Sequence, residues 1–151
     1  IIFSQGVSLI SSTSSIALSS FGTIIAIGDW YTGKVNVYEL VSGYWLQIGS
    51  DIDGEATGDR SGFSVSLSSD GSIVAIGAPE SNGNGSKSGH VRLYQNVGGT
   101  WTRMGIVDID GIASDDLSGF SVSLSSDGSI LAIGAPTIDL TKPGYVRVVR
   151  K

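Results

Sequence analysis

Apolar and small polar residues alternate along Phe63-Ser64-Val65-Ser66-Leu67, the period-two signature of a strand with one buried face. The Asp-Gly pair within Ser69-Asp70-Gly71-Ser72 then predicts a type I′ hairpin turn. Ile73 to Ala78 is an unbroken run of apolar and small residues, as expected of a strand buried on both faces. Pro79 has no N–H to donate to a ladder and ends it. After a loop come a strand over His90–Gln95, a Gly98-Gly99 turn and a strand over Thr100–Gly105. No stretch carries a helical apolar period with caps.

This pattern repeats. Residues 61–79 return at 118–136, an offset of 57, with the single change of Leu131 for Val74. A worn third copy runs from Ser15 to Asp29 at an offset of 49. Other markers keep the same frame: Gly33-Lys34-Val35-Asn36-Val37-Tyr38, Gly89-His90-Val91-Arg92-Leu93-Tyr94 and Gly144-Tyr145-Val146-Arg147-Val148-Val149. Trp45 matches Trp101, and Asp51-Ile52-Asp53-Gly54 matches Asp108-Ile109-Asp110-Gly111. Four antiparallel strands at this period describe the blade of a β-propeller. The expected fold is all-β, an array of about three four-stranded antiparallel blades. Small inner-strand residues suit blades that face each other closely, with Phe63, Leu67, Ile73 and Trp101 filling between them.

The boundaries follow: 13–59 for blade one, 60–116 for blade two and 117–151 for blade three. Blade one is expected to hold strands over Ser14–Ser19, Thr23–Gly28, Lys34–Leu40 and Tyr44–Gly49. Blade three stops before its Trp-bearing outer strand, while residues 1–12 stand where the outer strand of a preceding blade belongs. Ile1, Ile2 and Phe3 are therefore expected to complete blade three, in the same or another chain, against Tyr145, Arg147 and Val149. Three blades are too few for a ring, so the vacancy implies strand addition between chains. Three readings remain: a filament or fibre subunit, a closed oligomer, or a piece of a longer chain.

At Gly62-Phe63-Ser64-Val65, Ile76-Gly77-Ala78-Pro79 and Gly89-His90-Val91-Arg92-Leu93-Tyr94 the sequence resembles the FG-GAP repeat, the family of the integrin α-subunit propeller. In blade one Thr13-Ser14 replaces Gly-Phe. The resemblance implies an extracellular or cell-surface propeller used in adhesion, often with calcium in the hairpin between the first two strands. Here that hairpin offers one carboxylate each in blades two and three, Asp70 and Asp127, too few for an oxygen cage. The acidic segments 51–59 and 108–116 gather more, making Asp51, Asp53, Asp59, Asp108, Asp110 and Asp116 the candidate calcium ligands. Their alternative is as solvated, turn-capping connections between blades.

Composition narrows the rest. Gly (22) and Ser (26) make up nearly a third of the 151 residues, as in a linker. A mean hydropathy of +0.22 is incompatible with a disordered tract. Cysteine is absent, so disulfides, thiolate metal sites and cysteine nucleophiles are too. His90 is the one histidine, read as a surface or turn residue, and it rules out two-histidine metal sites. A net charge of −5 with scattered Lys and Arg argues against nucleic acid. No apolar run is long enough for a membrane helix, and the first residues look like a mature or excised segment.

Asn84-Gly85-Ser86 is an N-glycosylation sequon, making Asn84 the candidate acceptor. Asp29, followed by Trp30 and Tyr31, departs from the repeat, where Ala78 and Ala135 stand, and suggests a sugar-stacking spot. Glycoside chemistry needs a unique carboxylate pair, whereas these acids recur with the blade. The sequence thus reads as a non-catalytic extracellular structural or adhesion module with no obligate cofactor. Its partners are other copies or further blades, and possible glycans. The alternatives are a carbohydrate-binding or carbohydrate-active propeller and part of a longer integrin-like adhesion protein.

Overall fold

The computed structural model describes residues 15–150. Blade one runs β1 (Ser15–Leu18), β2 (Ile24–Asp29), β3 (Lys34–Val41) and β4 (Tyr44–Gln47), with β5 (Ile52–Asp53) also on β3. Blade two is β6 (Ser64–Leu67), β7 (Ile73–Ala78), β8 (His90–Val97) and β9 (Thr100–Asp110). Blade three is β10 (Ser121–Leu124), β11 (Ile130–Ala135) and β12 (Tyr145–Arg150). Every pairing within a blade is antiparallel, and the described residues contain no helix. The array is of the β-propeller type. Its register repeats, with Ser15 opposite Gly28, Ser64 opposite Gly77 and Ser121 opposite Gly134.

Two expectations need correction. The Asp-Ile-Asp segments are outer strand, not connecting loop: Ile52 and Asp53 pair with Val35 and Lys34, and Ile109 and Asp110 with Val91 and His90. The reason is period two, since Ile52 is buried in the core while Asp53 stays exposed. The turn at Ser69-Asp70-Gly71-Ser72 is not type I′, because Gly71 has positive φ (72°) and Asp70 does not. Asp70 instead braces the loop, accepting bonds from Ser68 Oγ (2.7 Å), Ser72 N (3.0 Å) and Ser72 Oγ (2.8 Å). Asp127 does the same with Ser125 and Ser129, which holds its carboxyl down to about 2.

The core lies between blades. Val65, Leu67, Val74 and Ile76 of blade two pack on Ala26, Val35, Val37 and Ile52 of blade one. Ala75 and Val91 of blade two meet Leu131 and Ile133 of blade three, with Val122, Leu124 and Val149 against them. Each fully buried Val or Ile contributes about 1.5–3 kcal/mol relative to exposure.

Serine and glycine make the close approach possible. Ser15 Oγ donates to Gly62 O (2.8 Å) and Ser64 Oγ to Gly119 O (2.7 Å), each across a junction. A Cβ at Gly28 or at Gly77 would lie 2.1 Å from those same carbonyls. A chain of backbone bonds links the hairpins, Ser20 N to Ser69 O (2.9 Å) and Ser69 N to Ser126 O (2.8 Å). Farther out, Trp101 Nε1 donates to Ile48 O (2.9 Å), while Phe63 and Phe120, just before the innermost strands β6 and β10, meet at 4.9 Å between ring centroids.

Both ends of the array are open among the described residues. Val35 and Val91 are fully buried, yet Val146 in the same repeat position is 71% exposed. At the other end Ile16 is 65% exposed, while its counterpart Val65 is 8% exposed. Ile1, Ile2 and Phe3, expected to complete blade three, lie outside the described residues.

Candidate functional site

Blades one and two each set the first residues of their third strand against the acids of their outer strand. In blade one, Asp51 accepts from Asn36 Nδ2 (2.7 Å), Gln47 Nε2 (2.9 Å) and Lys34 Nζ (3.1 Å). The Gln47 and Lys34 bonds hold its carboxyl below the usual range. Lys34 also reaches Asp53, at 3.2 Å. In blade two, Asp108 is gripped by Arg92 (2.5 and 2.7 Å) and Arg103 (2.6 Å), and the Arg92 fork pushes its carboxyl down. Arg92 crosses to blade one as well, meeting Glu55 at 2.6 Å.

His90 is not a surface residue; only 4% of it is exposed. The outer strand explains this, because Asp110 pairs directly with His90 and the blade closes over the ring. Donor atoms of His90, Asp108 and Asp110 lie within 4.8 Å of one another. Arg92 and Arg103 already supply positive charge there, so a cation would have to displace a guanidinium. Burial pushes the imidazole below its ordinary value. The folded chain then binds fewer protons than the unfolded chain, and the stability His90 confers is present above the unfolded value and lost below it. Melting temperature is expected to fall as pH drops from about 6.5 toward about 5. His90→Gln flattens this limb and leaves the loss that sets in as pH falls past the ordinary carboxylate value of about 4, toward the lower value at which folded Asp108 is protonated. An unchanged profile would show that His90 titrates freely.

The other sequence candidates serve local structure. Asp116 Oδ2 accepts from Ile112 N (3.0 Å), Ala113 N (2.8 Å) and the Tyr145 hydroxyl (3.0 Å), closing its loop and fastening β12. Asp59 is buried, and its carbonyl accepts from Glu80 N (3.2 Å). Arg147 donates to Asp110 O (3.1 Å), and Val149 packs into the second core cluster. Tyr145, Arg147 and Val149 thus face back toward blade two. Sequence reasoning missed the residues that face away, Val146 and Val148; the signal was their alternation with those three.

Asp29 is buried, and its carboxylate accepts from Tyr31 N (3.0 Å), Thr32 N (3.3 Å) and Thr32 Oγ1 (2.7 Å). The Arg60 guanidinium lies over Trp30, 4.7 Å from the ring centroid. Trp30, Tyr31, Glu55 and Arg60 line a shallow hollow of about 170 Å³. Asn84 is exposed, with Nδ2 donating to Gly111 O (2.9 Å).

Residues 51–94 match the family model of the FG-GAP repeat, spanning β5 to β8. No curated protein sequence matches the chain. Among solved structures it is similar to Kuenenia stuttgartiensis hydrazine synthase, with a TM-score of 0.63 and 14% identity over 91% of this chain. The alignment takes in 34% of that chain, so this sequence spans about a third of its length. At this identity the likeness concerns the fold alone.

Proposed function

We propose that the chain is a non-catalytic propeller module of an extracellular or cell-surface protein, structural or adhesive, that works by joining further blades. The observation that carries this reading is the exposed valine pair of β12, whose counterparts in blades one and two are buried (Val35, Val37, Val91) or partly buried (Leu93). An open strand edge and an apolar face invite association unless something covers them. The repeated acids support a structural role, because Asp51 and Asp108 are neutralised inside their own blades. Low charge, abundant serine and the FG-GAP match support the outer location, which antibody staining of intact cells would test. Sedimentation of the 151-residue chain at rising concentration is expected to give multiples of 15.6 kDa. A monomer throughout would overturn the assembling role.

A further inference from the structure

We infer that the leading face of blade three docks onto the trailing face of blade one in a second copy of this chain, repeating the two junctions inside the molecule. The inference rests on the assembling role just proposed and names its contact.

The internal junctions define what such a contact needs. The trailing blade presents two apolar residues of its innermost strand, Val65 and Leu67 or Val122 and Leu124. The leading blade presents an alanine and apolar residues of its third strand, Ala26, Val35 and Val37 or Ala75, Val91 and Leu93. Blade three carries the corresponding leading set, Ala132, Val146 and Val148, with both valines exposed. Blade one carries the corresponding trailing pair, Ile16 and Leu18, also exposed. The two open faces therefore hold opposite halves of one junction.

Polar groups match in the same direction. Each hairpin N–H points forward, from Ser20 to Ser69 and from Ser69 to Ser126, so the next link runs from Ser126 N to the Ser20 carbonyl of another copy. Ser66 Oγ accepts from Leu124 N across the second junction, and Ser123 stands ready to accept from Leu18 N in the same way. Gly134 fits as well. Gly28 and Gly77 each face a carbonyl of the next blade, whereas the atoms nearest a Cβ at Gly134 all belong to its own blade's Ser121. A contact between unlike faces is heterologous, so it closes into a ring or continues as a filament, and either outcome uses this junction.

The test is to spoil one face at a time. I16E/L18E damages the trailing face and V146E/V148E the leading face, all at exposed positions that leave the core intact. Circular dichroism verifies folding, and Gly134→Val is a second leading-face variant. Wild-type chain is expected to assemble as concentration rises, while each variant alone stays monomeric. Mixed in equal amounts, the two double variants are expected to stop at a one-to-one dimer, since each retains one good face. If wild type assembles and either variant does so unchanged, this junction is wrong though the assembling role stands. If wild type is monomeric at every concentration, the assembling role itself fails, and this junction with it.

Discussion

Gly77→Val is expected to lower the stability of the chain by about 3 kcal/mol, the upper end of ordinary overpacking. In a chain of this size that is a fall in melting temperature of roughly 10 °C. The added Cβ would sit 2.1 Å from the Gly119 carbonyl and 3.0 Å from its carbon. Backbone must yield, and the Ser64 Oγ bond to that carbonyl goes with it. Gly134→Ala supplies the contrast, because its Cβ meets Ser121 Oγ, a side chain that can turn aside. At low concentration it is expected to cost under about 1 kcal/mol. Thermal melts of the two variants check the pair, and equal losses would mean that the blades do not approach as closely as described.

Asp108→Asn comes second, with an expected loss of about 3 kcal/mol. The substitution keeps the shape but takes from Arg92, whose side chain is 10% exposed, its two-oxygen charge partner and leaves it only the more exposed Glu55. Asp51→Asn in blade one removes the corresponding carboxylate, where Lys34 is 43% exposed and well hydrated. There the expected loss is below about 1 kcal/mol. Denaturant midpoints at neutral pH measure both. Similar losses would show that burial does not set the worth of these pairs.

Much of the fold was legible because the chain states it three times. The Phe63–Leu67 alternation and the apolar run from Ile73 lead directly to β6 and β7, and the frame of the repeat places the rest. Asp51-Ile52-Asp53 was misread because two acids around a single apolar residue look like a loop, and cross-strand pairing with Lys34 and Val35 is not visible along the sequence. The burial of His90 follows from that same pairing in blade two and was hidden for the same reason. The candidate acids were legible as residues but not as roles, since their cationic partners lie as far away as the 17 positions between Lys34 and Asp51. Asp29 stood out as an exception to the repeat, but only its local bonds reveal a turn brace.

The glycine seam has a consequence for how such a chain can change over generations. The same carbonyl-against-glycine approach, braced by the same serine hydroxyl, forms both junctions. Stability in such an array is close to a sum over neighbours. A whole repeat can therefore be duplicated or lost without redesigning any junction that remains. Inserting a single residue between Ser64 and Gly77 would instead misplace a hydroxyl, a carbonyl and a hairpin link at once. Blade number is thus free to vary, while spacing within the blade is held fixed.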